Sequence, residues 1–313
     1  MRKTAFLLAG QGAQFPGMGK PFYEDIPLAK QIFDEAEQFR PGTLASLTDE
    51  HFEGLDETKN TQIAVFLMDY VCGKILMEQG ISPAAMAGFS LGELAALCLA
   101  GSMTLEEGIR LVSARGEYMQ ICGDKYPGKM AAVIRPDEDR LRQIAGDNGV
   151  YIANVSSAQQ ISVSGAAEDM DRFEEALKSA GMRFVPVKVS GAFHTPLMQE
   201  ASEKLGAVLA EIDFRAPQVP VWSDQFAQPY PAEPEEIRKM LQEQITHPVL
   251  FRDILTGIQK AGIEQYVECG PGHTLSGFVR KTLAGTPVFT TSDLNGLQET
   301  LTKCTAQTGE DRA

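Results

Sequence analysis

With 313 residues, 43% of them hydrophobic and 22% charged, the chain is long enough to bury a large core without disulfides or structural metal, and whole-chain disorder is excluded. Its 28 Lys and Arg against 42 Asp and Glu leave a formal net charge of −14. That charge argues against nucleic-acid or anionic-membrane binding, both of which need clustered cations. No apolar run reaches the roughly 18 residues of a membrane-spanning helix. The short stretch 4–9 is likewise too brief for the core of a signal peptide. Five cysteines (Cys72, Cys98, Cys122, Cys269 and Cys304) are odd in number and contain no C-x-x-C pair. They argue against a disulfide framework or a zinc site and for a reducing, cytoplasmic setting.

Taken in chain order, 4–9 reads as a buried strand feeding a turn at Gly10 and Gly12. Helical spacing follows over 28–39 and over 61–79, the latter stopped by Gly80 and Pro83. A second short strand at 84–88 precedes helices over 91–99 and 105–121. Strands alternating with helices predict a parallel sheet covered on both faces. The middle of the chain changes pattern. Strand 130–134, helix 137–145, strands 151–155 and 161–164, helix 169–180 and strand 183–189 make a β-α-β-β-α-β order, which is ferredoxin-like. The first pattern then resumes with a helix over 197–212, a strand over 219–222 and helices over 234–245 and 251–261. A strand over 265–269, a helix over 275–283 and a strand over 288–290 complete it, and 308–313 read as a frayed polar tail. The expected fold is α/β: a hydrolase-like domain with a mostly parallel sheet, residues 1–127 and 190–313, and an inserted ferredoxin-like α+β subdomain, residues 128–189. Tyr126-Pro127-Gly128 and Ser190-Gly191 are the hinges, and the cleft between the units is the expected ligand site.

Gly88-Phe89-Ser90-Leu91-Gly92 is a G-x-S-x-G segment between a predicted strand and a predicted helix. A sharp turn there lifts the serine hydroxyl above the sheet and points the helix N-terminus at developing negative charge. Ser90 is therefore a candidate nucleophile, the alternative being a glycine-rich turn with Ser90 as helix cap. A serine nucleophile needs a base, and the chain has four histidines. His51 sits in a polar, acidic stretch. His247 lies between two helices before Pro248, and His273 opens a helix after Gly270-Pro271-Gly272. His194 follows Ser190-Gly191-Ala192-Phe193 at the exit from the inserted subdomain and is the best-placed base.

Gly10-Gln11-Gly12-Ala13-Gln14, Gly88-Phe89-Ser90-Leu91-Gly92-Glu93, Arg115 and Gly191-Ala192-Phe193-His194, in this order, resemble the malonyl-CoA:acyl carrier protein transacylase family, relatives of the acyltransferase domains of polyketide and animal fatty acid synthases. Asn154 with 160–165, the segment 244–249 and Glu268-Cys269-Gly270-Pro271-Gly272 resemble further family motifs. The resemblance spans about residues 4–291 and includes the inserted lobe. It implies ping-pong transfer of a malonyl group from malonyl-CoA to the pantetheine thiol of holo acyl carrier protein through a malonyl-Ser90 ester, supplying fatty acid synthesis. His194 is implied as base, oriented by the segment around Gln244, with no aspartate completing a triad. The backbone N–H groups of Gln11 and Leu91 are implied as the oxyanion hole and Arg115 as the partner of the malonyl carboxylate. Gln62, Asn154, Phe193 and Gln244 support the pocket, and Phe193 is implied to narrow it in favour of malonyl over methylmalonyl. Without the resemblance Arg115 reads as an ordinary surface arginine on a helix. No cofactor is implied beyond the coenzyme A thioester substrate, no metal and no nucleic-acid or membrane partner; the family implies a monomer.

Three positions depart from the family pattern: Phe89 stands where histidine is usual, Ile63 where proline often follows Thr61-Gln62, and Ser156 where asparagine is common. They bear on substrate preference rather than on the reaction. The alternatives are a discrete acyltransferase acting in trans in a polyketide pathway and a serine hydrolase of acyl thioesters. An α/β-hydrolase esterase would add an acid after the serine and an HGGG-type loop, which the sequence lacks.

Overall fold

The computed structural model describes residues 2–306; the predicted tail at 308–313 lies outside them. The chain opens with β1 (Thr4–Leu8), every residue of which is buried. Phe6 and Leu8 pack into the core on one face of the sheet, and Ala5 and Leu7 into the core on the other. A strand buried on both faces reads as a continuous apolar run, and so it does. Helices α1 (Lys20–Asp25), α2 (Pro27–Phe39) and α3 (Thr43–Thr48) follow, then α4 (Thr58–Glu78). Fifteen of the 21 residues of α4 are buried, which makes it a central core helix rather than a surface one.

Strand β2 (Ala85–Gly88) runs straight into α5 (Leu91–Leu99), all of whose residues are buried. Helix α6 (Leu105–Lys125) starts on a capping box: Thr104 accepts from the Glu107 N–H and Glu107 accepts from the Thr104 N–H. It crosses α4 closely. A Cβ at Gly116 would stand 2.9 Å from Lys59 Cα, so only glycine permits the approach that carries the neighbouring Arg115 to Gln62.

The next elements are β3 (Gly128–Ile134), α7 (Glu138–Asp147), β4 (Tyr151–Ser157), β5 (Gln160–Ala166), α8 (Ala167–Ser179) and β6 (Arg183–Val187). Their strands form an antiparallel sheet in the order β4-β5-β3-β6, with its own core around Val163, Phe173 and Leu177. The chain ends with α9 (Gln199–Leu209), β7 (Val221–Trp222), α10 (Pro234–Gln244), α11 (Phe251–Lys260), β8 (Gln265–Cys269), α12 (Thr274–Thr282), β9 (Val288–Thr290) and α13 (Leu294–Ala306). The large sheet runs β7-β2-β1-β8-β9, parallel at every pairing. The expected α/β fold, with a parallel sheet and a small ferredoxin-like antiparallel unit, is the fold observed.

The antiparallel unit meets the rest of the protein at more places than its two chain crossings. Val155 N–H donates to Val249 C=O at 2.8 Å, and Val249 N–H to Ala153 C=O at 2.9 Å, so β4 pairs in parallel with the segment before α11. Ala158 N–H donates to Thr282 Oγ1 at 3.2 Å, and Arg252 pairs with Glu138.

Several expectations need correction. Helices α1, α3 and α13 lie outside the expected elements, and α4 begins at Thr58 rather than 61. The helix expected over 197–212 is a 3₁₀ turn, Pro196–Met198, followed by the shorter α9. Thr195 Oγ1 accepts from the Leu197 N–H, which favours the tight turn. The strand expected over 219–222 contracts to two residues, because Pro220 has no N–H for the ladder. The strand expected over 183–189 ends at Val187.

Candidate active site

The turn between β2 and α5 is built by its glycines. A Cβ at Gly88 would lie 1.8 Å from Gly92 C, and one at Gly92 would lie 2.2 Å from Leu8 C=O. Neither position accepts a side chain, and the resulting close approach folds the chain sharply at Ser90. Ser90 takes φ 55° and ψ −97°, a conformation that costs a non-glycine residue on the order of 1–3 kcal/mol. Leu91 is the first residue of α5, so its N–H has no acceptor within the helix. Gly10 presses against Phe89 C=O, where a Cβ would be 2.6 Å away, which brings the β1 loop and Gln11 beside the same turn.

His194 Nε2 lies 2.7 Å from Ser90 Oγ. Its Nδ1 faces two carbonyl oxygens, Gln244 at 3.2 Å and His247 at 2.9 Å. Carbonyls only accept, so the ring proton sits on Nδ1 and Nε2 is left as the acceptor of the serine proton. The histidine is 5% exposed and adopts φ 59°, with its N–H held by Ile245 C=O at 3.1 Å. Burial, with the Arg115 charge second, pushes its pKa down to about 4, so the imidazole is neutral over the physiological range. Of the other histidines, His247 contributes its carbonyl, His51 is exposed on a turn, and His273 caps α12.

Arg115 lies within the core, 1% exposed, in contrast to the surface arginine that its helix pattern alone suggests. Its guanidinium donates to Gln62 Oε1 at 2.6 Å, Gln244 Oε1 at 2.8 Å and Ser90 Oγ at 3.0 Å, while Nε has no partner. Burial lowers its pKa to about 10, so it stays charged at neutral pH. Gln62 Nε2 in turn donates to Gln11 Oε1 at 3.2 Å, and Gln11 Nε2 to Thr58 Oγ1 at 3.3 Å, which lies 2.8 Å from Ser190 Oγ.

Beneath the serine lie two buried carboxyl groups that sequence reasoning did not assign. Asp224 Oδ2 accepts from the Ser90 N–H at 2.7 Å, and Glu93 Oε1 accepts from the Asp224 N–H at 2.9 Å. Gln244 Nε2 donates to Ser90 C=O at 2.7 Å, to Asp224 Oδ2 at 3.3 Å and to Glu93. A sequence signal for Asp224 existed: it follows the C-terminal end of a parallel strand, where sites of α/β sheets gather.

The serine and histidine open into a cleft of about 210 Å³ between the two sheets. One wall comes from the antiparallel unit, with Asn154, Ser156 and Val187, and Phe193 lines the same cleft. Asn154 Oδ1 and Ser156 Oγ are buried there without a hydrogen-bond partner. Phe89 forms another side and packs on Phe251 and Phe278, with centroids 5.3 and 5.8 Å away. Ile63 is wholly buried in the core of the large unit. No group of three or more His, Cys, Asp or Glu side chains among the described residues could hold a metal ion. The arrangement suits addition of a serine oxygen to a carbonyl carbon beside a fixed positive charge.

The acyl transferase domain family matches residues 5–303. The malonyl CoA-acyl carrier protein transacylase of Bacillus subtilis (strain 168) is 38% identical over 291 residues, 90% of each chain. The crystal structure of malonyl CoA-acyl carrier protein transacylase from Clostridium perfringens superposes with a TM-score of 0.94 at 30% identity, covering 99% of this chain and 100% of that one. A malonyl-transacylase solved in complex with its type II polyketide acyl carrier protein gives a TM-score of 0.91 at 30% identity, over 96% and 99% of the two chains.

Proposed function

We propose, for a chain that belongs to the acyl transferase domain family, that it moves malonyl from malonyl-CoA to the pantetheine thiol of holo acyl carrier protein. The observation that carries this reading is the meeting of two groups at one serine oxygen. Ser90 Oγ has a neutral imidazole nitrogen at 2.7 Å and a buried guanidinium at 3.0 Å. A serine base pair alone would serve any acyl ester. An arginine at the same oxygen selects acyl groups that end in a carboxylate, which it grips with two parallel N–H···O bonds.

In the first half-reaction Ser90 gives its proton to His194 Nε2 as Oγ adds to the thioester carbonyl. The resulting oxyanion is held by the N–H groups of Gln11 and Leu91. The C–S bond breaks, coenzyme A leaves with the proton from His194, and malonyl-Ser90 remains. In the second half the carrier thiol gives its proton to His194 and its sulfur adds to the ester carbonyl. Ser90 departs and takes that proton back. Gln244 and His247 hold the imidazole through their carbonyls, so no carboxylate is needed behind it. Gln62 and Gln244 fix the guanidinium, while Asn154 and Phe193 shape the pocket. The chemistry runs on side chains and the two thioesters, without a cofactor. The same reading takes 128–189 as a unit inserted between 1–127 and 190–313, with the substrate slot between them. It places the protein in the cytoplasm, in keeping with five free, buried cysteines. No described helix is long and apolar enough to cross a membrane. Supply of fatty acid synthesis is the expected role. The polyketide reading is favoured by the malonyl-transacylase solved with its polyketide carrier and by relatives named for polyketide biosynthesis, and the carrier that unloads the enzyme fastest decides between the two readings.

The test is intact-protein mass after brief exposure to malonyl-CoA, with carrier added afterwards. A single malonyl adduct that moves onto the carrier is expected. An adduct that decays to water at the same rate with or without carrier overturns transfer in favour of hydrolysis. His194→Ala is expected to slow both loading and unloading by about 10²–10⁴-fold, read by single-turnover kinetics. Because His194 has a pKa lowered from 6.5 to about 4, the base form persists well below neutrality and is lost only as pH falls through about 4. The pH profile of kcat/KM for malonyl loading should therefore be flat from neutral to about pH 5. An acid limb centred near the ordinary histidine value would contradict this geometry.

A further inference from the structure

We propose that Asp224 is a positioning residue of the acyl transfer: its carboxyl oxygen holds the backbone N–H of the reacting serine and, through Gln244, steadies the guanidinium at the serine hydroxyl. The proposal rests on the reading of Ser90 as nucleophile, and goes beyond it.

Asp224 follows the edge strand β7, next to β2, and is 1% exposed. Oδ2 receives the Ser90 N–H at 2.7 Å and faces Gln244 Nε2 at 3.3 Å. The residue is itself pinned from two directions. Its N–H donates to Glu93 Oε1 at 2.9 Å, and its C=O accepts from the Leu250 N–H at 2.8 Å. The serine's turn needs such a hold. At φ 55° and ψ −97° Ser90 occupies a backbone region that persists only when its surroundings over-determine it. Gly88 and Gly92 permit the turn, Gln244 Nε2 holds the Ser90 C=O at 2.7 Å, and Asp224 holds the N–H. Both polar ends of the serine's backbone are therefore fixed by side chains more than a hundred residues away in sequence.

Charge decides which property of Asp224 matters. Arg115, Glu93 and Asp224 are all buried, giving one cation for two carboxyl groups. A second buried anion would go uncompensated, which disfavours full ionisation of both carboxyls. Burial raises both carboxyls, and their mutual repulsion adds to the rise at Asp224. The acceptor oxygen, not a full negative charge, is what Ser90 requires. Asparagine supplies the same oxygen, and its amide nitrogen would take the place of Asp224 Oδ1, which has no partner.

The experiment compares Asp224→Ala and Asp224→Asn with the parent in malonyl loading, followed by intact mass in single turnover. Asp224→Ala is expected to lower kcat by about 30-fold or more, with KM for malonyl-CoA within about three-fold, because Asp224 does not touch substrate. Asp224→Asn is expected to restore kcat to within about three-fold of the parent, since a hydrogen-bonded acceptor is retained. Loading of Asp224→Ala at the parent rate overturns the proposal, as does a folded Asn variant as slow as the alanine one. Amide exchange on the parent protein needs no variant: the Ser90 N–H must be protected, and a freely exchanging Ser90 amide overturns the assignment. A parent protein that forms no malonyl adduct at all defeats the underlying function instead, so the two failures are distinguishable.

Discussion

Ser90→Ala is expected to abolish the malonyl adduct and to lower transfer by at least about 10⁴-fold, the scale seen when the nucleophile of a covalent serine enzyme is removed. Among the described residues no cysteine stands ready to replace it. All five cysteines are buried and free, and burial holds the Cys72 thiol up at about 12, where the thiolate is scarce. The substitution removes one oxygen and leaves the backbone bonds to Asp224 and Gln244 in place. Folding should therefore survive, and thermal unfolding of the variant checks that it does. Persistent malonyl labelling at another residue, mapped by peptide mass, would defeat the nucleophile assignment.

Arg115→Ala carries the second largest expected effect. Two charged hydrogen bonds to the malonyl carboxylate, each worth ~1.5–3 kcal/mol, correspond to a loss of roughly 10²–10⁴ in kcat/KM for malonyl-CoA. Acetyl-CoA makes neither bond, so the malonyl-to-acetyl ratio should collapse. The substitution also removes the buried positive charge near Glu93 and Asp224 and is expected to lower stability, by up to ~3–5 kcal/mol where buried carboxyls lose their compensating charge. The ratio is insulated from that loss because both thioesters are measured on one preparation. Arg115→Lys retains the charge but not the planar fork, and should recover stability more fully than selectivity. An unchanged ratio in Arg115→Ala would reject the carboxylate role.

These two residues differ in how legible they are from sequence. Ser90 stands in a pentapeptide whose spacing announces the turn, because only glycine fits at 88 and 92. Arg115 lies on a helix with Glu106, Glu107, Arg110 and Glu117 nearby, and nothing in that pattern marks it as the buried one. Its burial follows from the close crossing at Gly116, a tertiary event. Strands β1 and β2 are legible as short, small or apolar runs because a sheet covered on both faces needs little else, whereas β8 carries Gln265 and Glu268 and is marked by the Gly270-Pro271-Gly272 turn that ends it. Helices α1 and α3 are six residues each, too short to display a period. Asp224 and the carbonyl of His247 escaped for another reason. Their partners are far away in sequence, and a backbone oxygen carries no residue-type signature.

The pairing of β4 with Val249 changes what the antiparallel unit is as a part. A lobe tied only at two hinges could be cut out and exchanged between relatives like a cassette. This one shares backbone hydrogen bonds with a segment some 60 residues beyond its own end, the segment whose Gln244 and His247 carbonyls hold the His194 imidazole. A chimaera that imports 128–189 alone therefore joins a foreign strand to a native histidine support. Grafts of acyl specificity should be designed with 244–251 travelling alongside the lobe, as one inheritance unit that is discontinuous in the chain.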